Sequence, residues 1–174
     1  MQTILQGNYL IMDSQIRNVE LNDINDLIRI NELSIPAVNS ITEAKFEWFY
    51  NNSLYFRLIK STGDEIYGFL LALNPALDYE SINYKWFQNR YDQFAYIDRV
   101  AILKKYKRNG LGKKLYSDLE QTIKDNYKMI ACEYNLKPMN IESEKFHLAI
   151  DYERVGSLVT ENGAKEVSLM VKNI

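Results

Sequence analysis

The sequence predicts an α/β fold, in which helices pack on a β-sheet whose strands run in mixed directions. Two pairs of strand-like segments, 54–60 with 66–73 and 152–160 with 164–172, are each joined by a short turn and predict antiparallel hairpins. A strand, an amphipathic helix and a second strand follow one another over residues 94–134, and this order predicts a crossover between parallel strands. The other helical patterns supply the layers that cover the sheet.

The first third of the chain predicts one strand followed by two helices. Residues 15–20 form the strand, and Asn22 or Asp23 can cap the helix that follows. This helix has its apolar residues at helical spacing: Ile24, Leu27, Ile28 and Leu33. Thr42 is expected to cap a second helix that runs to about residue 51.

The middle of the chain predicts a hairpin, a loop and a short helix before the central strand. Gly63 lies in the hairpin turn STGDE, where we expect it to adopt a positive φ. Pro75 opens a loop that extends to residue 84, and the segment YKWFQNRY predicts a short helix. The apolar-rich residues 94–103 are long enough for a central strand.

The last third predicts a long helix, a strand, a short helix and the closing hairpin. Apolar residues recur every four positions through the helix expected over 110–126: Leu111, Leu115, Leu119 and Ile123. Residues 128–134 predict an interior strand, and Ser143 is expected to cap a short helix that ends near residue 150. The turn ENG joins the last two strands.

Length and cysteine content bound the class of protein. The 174 residues suffice for one domain, placed at 15–174, after a weakly patterned N-terminal extension over 1–14 that we expect to be loose. A single cysteine, Cys132, excludes an internal disulfide framework and fits a reducing compartment. One cysteine and one histidine are too few for a zinc site, so no metal is expected.

Charge and hydropathy argue against two classes of partner. The net charge is −2 and the chain has no long basic stripe, so nucleic acid is not expected to bind. No apolar run approaches the roughly 20 residues of a membrane helix. No basic residue precedes Arg17, so a signal peptide is not expected either. We therefore expect a cytoplasmic protein that is a monomer or a homodimer.

The segment KRNGLG, residues 107–112, places two of the chain's seven glycines just ahead of a predicted helix. The first amides of a helix have no intrahelical partner and carry partial positive charge, and glycine lets an anion approach them. Lys107, Arg108 and Lys113 would add formal charge, which makes a diphosphate the natural ligand. A tight turn into the helix, without any ligand, explains the same residues equally well.

This segment resembles motif A of the GNAT superfamily of acyl-CoA-dependent N-acetyltransferases, which is Gln/Arg-x-x-Gly-x-Gly/Ala after a hydrophobic strand. Lys107 stands where that motif has Gln or Arg, which keeps the charge. The segments YIDRVAI, CEYNLKPMN, SEKFH and KEVSLMV resemble a bacterial subfamily of predicted acetyltransferases. The resemblance covers roughly residues 15–174. It implies a mixed, mostly antiparallel twisted sheet of about 6–7 strands with helices on both faces and a β-bulge in the fourth strand.

The resemblance also implies a binding site for acetyl-CoA. Backbone groups of residues 100–103 would bond the pantetheine arm as an added strand does, and amides of residues 108–113 would hold the pyrophosphate. Asn140 falls at the Asn that family members use beside the pantetheine. The residues implied in binding are Val100, Ala101, Ile102, Leu103, Lys107, Arg108, Asn109, Gly110, Leu111, Gly112, Lys113, Asn140, Ser143 and Phe146.

Two residues are candidates for catalysis. Asp98 lies where relatives often carry a carboxylate that faces the acceptor, so it is our candidate base; a structural ion pair is the alternative. Alternation along a strand predicts that Arg99 faces the other side, which weakens a direct pairing of the two. His147 falls where many members carry the tyrosine that protonates the departing thiolate, and an imidazolium there could donate to sulfur. A packed structural histidine is the alternative, with Tyr134 or Tyr152 as the donor.

Acceptor contacts are expected from the first helices, the loop before the central strand, the last hairpin and the strand after the crossover. The candidates are Asn31, Glu32, Tyr79, Asn83, Trp86, Tyr91 and Glu133. Each of them could instead pack at the surface or rim. Cys132 is expected to be a small buried core residue rather than a nucleophile.

These residues predict an acetyl-CoA-dependent N-acetyltransferase. The primary amine of a small molecule or peptide would attack the thioester directly in a ternary complex. Two alternatives stay open: a non-catalytic acyl-CoA-binding regulatory module, and an acyltransferase that uses a longer acyl-CoA.

Overall fold

The computed structural model describes residues 13–174, so the expected extension over 1–14 lies almost wholly outside the described residues. The strands are β1 Gln15–Asn18, β2 Tyr55–Lys60, β3 Ile66–Leu73, β4 Phe94–Ile102, β5 Met129–Lys137, β6 Glu153–Thr160 and β7 Lys165–Asn173. They form one seven-stranded sheet in the order β1-β2-β3-β4-β5-β7-β6. The predicted order of strands and helices along the chain is confirmed.

Five helices cover this sheet. They are α1 Ile24–Glu32, α2 Glu43–Asn52, α3 Ile82–Gln88, α4 Leu111–Ile123 and α5 Ile141–Ala149. Buried residues of α1, α2 and α3 share one core cluster with one face of the sheet, and those of α4 pack in a second cluster on the other face, where α5 also lies. Helices on both faces, as expected, leave the sheet buried between two layers. Within the described residues, no helix is long and apolar enough to cross a membrane.

The helices form where the apolar spacing predicts them. In α1, Leu27 and Ile30 are fully buried, and in α4 the residues at four-residue spacing all point into the core. Thr42 caps α2 as expected, since its hydroxyl accepts a hydrogen bond from the amide of Lys45 at 3.2 Å.

Strand direction creates an opening in the middle of the sheet. All neighbouring strands are antiparallel except β4 and β5, which are parallel, as the predicted crossover requires. These two strands pair only from Phe94 opposite Met129 to Tyr96 opposite Ala131. Beyond this point they diverge, so each has one edge without a neighbouring strand.

A β-bulge in β4 changes the face on which its side chains lie. Arg99 pairs with Leu71, whereas Ile97 pairs with Ala72, so Asp98 is an extra residue in β4. The expected bulge is confirmed. The prediction that Arg99 faces away from Asp98 was wrong, because the bulge breaks the alternation on which it relied. Both side chains lie on the α1–α3 face.

Three local predictions were wrong for identifiable reasons. In the hairpin turn, Asp64 has the positive φ of 71°, and Gly63 does not need one. Helix α3 begins at Ile82, inside the expected loop, because the Ser81 hydroxyl caps it. Asp23 precedes α1 without capping it, since its carboxylate binds Arg17 at 2.6 Å and the amide of Glu20 at 2.8 Å.

The short helix α5 begins earlier than expected. Asn140, rather than Ser143, is its N-cap: Oδ1 of Asn140 accepts a hydrogen bond from the amide of Ser143 at 3.1 Å. This bond uses Oδ1 of the Asn140 side chain. The side-chain nitrogen, Nδ2, is therefore available to donate to a ligand.

Candidate active site

A cleft of about 580 Å³ opens where β4 and β5 diverge, and it passes from one face of the sheet to the other. Two groups of side chains line it. On the α1–α3 face is the carboxylate half, which consists of Tyr79, Asn83, Tyr96, Asp98, Arg99 and Glu133. On the α4–α5 face is the histidine half, which consists of Tyr116, Cys132, Tyr134, Asn140, Ser143 and His147.

Glu133 is the centre of the carboxylate half. Its two carboxylate oxygens accept hydrogen bonds from the Tyr96 hydroxyl at 2.8 and 2.9 Å, and Oε1 also accepts one from Nδ2 of Asn83 at 2.9 Å. Burial raises the pKa of Glu133 to about 7, although the bonds from Asn83 and Tyr96 oppose the rise; the nearby charge of Asp98 adds to it. The side chain keeps part of its surface open to the cleft. It can therefore exchange a proton near neutral pH.

Asn83 has a polar atom that the described protein leaves without a partner. Its Nδ2 donates to Glu133, whereas Oδ1 is buried and accepts no hydrogen bond from any residue in 13–174. Buried acceptors of this kind are rare, and water or a ligand usually satisfies them. Asn83 is therefore suited to contact a donor group close to Glu133.

Asp98, the predicted base, is held by two donors. The Tyr79 hydroxyl donates to Oδ1 at 2.5 Å and Nε of Arg99 donates to Oδ2 at 2.8 Å. The side chains of Asp98 and Arg99 are only 5% and 7% exposed. The structure thus contains the ion pair that strand alternation argued against; Glu133, by contrast, has no ion-pair partner within residues 13–174.

Arg99 is fixed from its other side as well. Its NH1 donates to Oδ1 of Asn31 at 2.9 Å and to the carbonyl of Asn39 at 3.3 Å. Asn31 is fully buried and donates to the same carbonyl at 3.0 Å. Asn31, predicted to contact the acceptor, therefore positions Arg99 instead of lining the cleft.

His147 lies in the histidine half as a neutral imidazole. Its Nδ1 lies 2.7 Å from the carbonyl of Ser143, which can only accept, so Nδ1 carries the proton. Nε2 then accepts the hydrogen bond from the Tyr116 hydroxyl, at 2.9 Å. Burial lowers the pKa of His147, and the bond to Ser143 opposes this only in part. The geometry does not favour the imidazolium that donation to sulfur would require.

The other side chains of this half are neutral too. The Tyr134 ring stacks on His147 with centroids 6.1 Å apart, and its hydroxyl donates to Glu144 at 3.1 Å. Tyr152, the other alternative donor, does not line the cleft; its hydroxyl is buried and has no partner among the residues the structure describes. Burial raises the pKa of the Cys132 thiol well above its usual value, so no thiolate nucleophile is present.

The glycine-rich segment has the geometry of an anion site. Gly110 adopts a left-handed φ of 74° as the N-cap of α4, and a Cβ there would meet nothing within 4 Å. Within 13–174, the backbone amides of residues 108–113 donate to no protein acceptor; the first amide that does is Lys114, to the carbonyl of Gly110. Several donors in a row next to open space can bind phosphate oxygens.

Acidic and aromatic side chains of α5 lie next to this segment. Glu142 lies 3.3 Å from Nζ of Lys107 and 3.5 Å from NH2 of Arg108, so it holds two of the predicted phosphate-binding cations. The Phe146 ring would lie 3.5 Å from a Cβ at Gly112, so these two residues pack α4 against α5. Gly112 and Phe146 therefore lie at the contact between the two helices.

The unpaired edge of β4 completes the site. Residues after Tyr96 have β3 on one side but no strand on the other, so backbone groups near Val100 face the cleft. An extended ligand can hydrogen-bond to such an edge as an added strand would. This is the place that the sequence resemblance implies for the pantetheine arm.

The cleft brings together only part of the predicted acceptor set. Tyr79, Asn83 and Glu133 line it. Trp86 packs against Gly156 instead, and Tyr91 packs on Phe87; neither they nor Glu32 line it. Among the lining residues that sequence reasoning missed are Lys45, Tyr96, Tyr116 and Lys165. Tyr116 lies beside the apolar stripe of α4, and no sequence pattern marked it as a cleft residue.

Comparisons with known proteins agree with this geometry. The chain matches the model of the Acetyltransferase (GNAT) family over residues 24–149. No curated protein matches the chain by sequence. Similar solved structures include the ribosomal-protein-S18-alanine N-acetyltransferase from Escherichia coli, at 15% identity and a TM-score of 0.68, covering 92% of this chain and 94% of that one.

Two further structures are similar over nearly their whole length. Ard1 from Thermoplasma volcanium is 17% identical with a TM-score of 0.74, covering 94% of this chain and 99% of that one. NAA60 from Arabidopsis thaliana, in complex with acetyl-CoA, is 16% identical with a TM-score of 0.74, covering 92% of this chain and 99% of that one. At such identities the likeness shows the fold alone.

Proposed function

The chain belongs to the acetyltransferase (GNAT) family, whose members use acetyl-CoA, and from that premise we propose that it acetylates a primary amine of a small molecule or peptide by direct attack in a ternary complex. One observation carries the proposal. Glu133, a carboxyl group with a pKa of about 7, lies in the cleft between the diverging strands, where an amine and a thioester can meet. A base with this pKa is half ionised at neutral pH, which suits proton transfer.

The residues around the cleft fit acetyl-CoA. The amides of residues 108–113 and the open space at Gly110 suit its diphosphate, and the edge of β4 suits its pantetheine arm. Asn140, whose Nδ2 is not used by the helix cap, would bond the same arm near the thioester. The reacting end would then lie between the carboxylate half and the histidine half.

Glu133 is the base in this proposal. An acceptor amine has a pKa near 10 and reaches the site mostly as an ammonium, so it must lose a proton before it can attack. Glu133 takes that proton, directly or through one water, while Oδ1 of Asn83 accepts a second N–H of the amine. Acetyl-CoA supplies the thioester: as the C–N bond of the product forms, its C–S bond breaks, and the second proton that the nitrogen loses passes to the departing thiolate, which leaves as the free thiol of CoA.

Tyr116 is the donor to the departing sulfur. Its hydroxyl lines the histidine half and is held at 2.9 Å by Nε2 of His147. By turning its O–H from that nitrogen to the sulfur, Tyr116 stabilises the thiolate with a hydrogen bond. His147 is then a positioning residue, since its one N–H, at Nδ1, donates to the carbonyl of Ser143 and its Nε2 has no proton to give.

A thiol-release assay tests the function. Acetyl-CoA is incubated with the protein and a panel of primary amines, and free CoA thiol and N-acetylated product are both measured. Glu133→Gln should abolish most turnover but keep CoA binding. The matched control is Glu120→Gln, which removes a carboxylate that pairs with Lys172 outside the cleft. CoA binding without product for every amine would favour a non-catalytic binding module.

A further inference from the structure

The segment between α1 and α2 covers the carboxylate half of the cleft. Residues 37–41 line the cleft. Hydrogen bonds join this segment to strands on both sides of the cleft. On one side, NH1 of Arg99 in β4 donates to the carbonyl of Asn39 at 3.3 Å. On the other, Nδ2 of Asn135 in β5 donates to the carbonyl of Pro36 at 3.3 Å, and Nζ of Lys165 in β7 donates to Oδ1 of Asn39 at 3.2 Å.

This cover restricts the size of the acceptor. The whole cleft, which must also hold the thioester end of acetyl-CoA, measures about 580 Å³. Pockets of about 300–1,000 Å³ hold one drug-sized molecule. A length of polypeptide lying across the carboxylate half would have to displace residues 37–41, whereas a small molecule would fit beneath them.

Two cations line this half without a carboxylate partner. Lys165 binds only the neutral Oδ1 of Asn39. The ammonium of Lys45 lies 4.3 Å from the ring centroid of Trp48 and 4.6 Å from that of Tyr79. Among residues 13–174 no carboxylate oxygen lies within 4.0 Å of either ammonium, and residues 1–12 contain no Asp or Glu.

Within residues 13–174, no acidic side chain of the cleft forms an ion pair with either lysine, although the charge of Lys165 acts on Glu133 from a longer distance and opposes the rise of its pKa. Asp98 is paired with Arg99, and Glu133 is bonded to two neutral donors. Glu80 and Glu161 also line the cleft, but both are exposed at its rim, where water solvates them. Partly buried cations with neutral contacts are best satisfied by an anion, which makes charge-assisted hydrogen bonds.

We propose that the acceptor is a small primary amine that carries an anionic group, a carboxylate or a phosphate, which Lys165 and Lys45 bind while the amine faces Glu133. This inference rests on the proposed function and names the substrate class of the same site. It favours the small-molecule acceptor over the peptide acceptor, both of which the sequence left open.

Matched acceptors test the anionic group. We compare γ-aminobutyrate with n-butylamine, phosphoethanolamine with ethanolamine, and both pairs with a short C-terminally amidated peptide that has a free α-amine. Thiol release at saturating acetyl-CoA gives kcat and KM for each. The anionic member of at least one pair should have a kcat/KM about 10-fold or more above its neutral partner, and the peptide should be the poorest acceptor.

Charge-removing variants test the lysines. Lys165→Met and Lys45→Met should each raise the KM of the anionic acceptor about 10-fold or more, with little effect on the KM of acetyl-CoA. Lys137→Met is the control, because this lysine binds the carbonyl of Gly163 near the same turn but does not line the cleft. For a neutral amine, Lys165→Met and Lys45→Met should change the KM far less than they do for the anionic acceptor, and Lys137→Met should match the wild type with both acceptors.

The outcomes separate this inference from the proposed function. Turnover of neutral amines or of the peptide as fast as anionic amines, unchanged by either lysine variant, would overturn the inference and leave the function standing. No thiol release with any amine, while acetyl-CoA still binds, would overturn both.

Discussion

Glu133→Gln should remove the proton acceptor of the reaction and, with it, one limb of the pH profile. With a pKa of about 7, Glu133 is half ionised near pH 7, and about one molecule in eleven is ionised one unit lower. The kcat/KM of the wild type should therefore fall about tenfold for each pH unit below 7. A general base contributes roughly 10²- to 10⁴-fold, so the variant should be slower by that factor and should lack this limb.

The same substitution should change stability with a defined sign. The folded protein holds the Glu133 proton more tightly than the unfolded chain does, because burial raises the pKa from 4.5 to about 7. The contribution of Glu133 to the free energy of unfolding is therefore fully present below its pKa in the unfolded chain. It is lost as the pH rises through its pKa in the folded protein. The two pKa values of Glu133 differ by about 2.5, which corresponds to about 3 kcal/mol of unfolding free energy at most. Partial exposure of the side chain to solvent reduces this free energy.

Urea denaturation at about pH 4 and pH 8 measures this difference. The free energy of unfolding of Glu133→Gln should equal that of the wild type at the lower pH and exceed it at the higher pH. The activity of the variant should be lost at both. Glu120→Gln should show neither effect. If Glu133→Gln keeps the wild-type rate and the limb near pH 7, the assignment of Glu133 as the base is refuted.

Three further predictions follow from single contacts. Gly110→Ala should weaken CoA binding in calorimetry at least tenfold, because a Cβ enters the open space beside the free amides. The control is Gly163→Ala, which bears the same left-handed strain at φ 91° and should bind CoA normally. Equal binding of CoA by the two variants would reject the diphosphate site. Asp98→Asn should lower the free energy of unfolding by about 3 kcal/mol in urea, because it leaves Arg99 buried without its partner. It should keep the pH limb but move it below pH 7, because the charge of Asp98 helps to raise the pKa of Glu133; loss of that limb would restore Asp98 as the base. Tyr116→Phe should lower kcat about tenfold or more with little change in the KM of acetyl-CoA, and an unchanged kcat would exclude Tyr116 as the donor to sulfur.

The order of strands and helices could be predicted because each depends on local patterns. Apolar residues at four-residue spacing fix the buried face of α4, and short turns between strand-like runs fix the two hairpins. The glycine-rich segment could be located for a similar reason, since its position between a strand and a helix already places its amides.

The chemistry of the carboxylate half could not be predicted in the same way. One extra residue in β4 brings Asp98 and Arg99 to the same face, and no period-two pattern signals which residue is extra. The pKa of Glu133 depends on Tyr96 in β4 and Asn83 in α3, which are distant in sequence. The placement of residues 37–41 over the carboxylate half depends on bonds from three different strands.

The histidine half shows a further limit of sequence reasoning. The position of His147 in the site was predicted, but its protonation follows from the Ser143 carbonyl and the Tyr116 hydroxyl. Tyr116 lies beside the apolar stripe of α4 and is itself buried. A tyrosine in such a position can be identified as part of a cleft only when the packing of α4 against α5 is known.

The stoichiometry of product and thiol, measured in one reaction, tests the central claim most directly. A wild-type sample with acetyl-CoA and an anion-bearing amine is analysed by mass spectrometry for N-acetylated amine and by a thiol reagent for free CoA, beside Glu133→Gln. The proposed mechanism predicts equal amounts of the two products from the wild type and far less of both from the variant. Free thiol without acetylated amine, or equal yields from the two proteins, would contradict it.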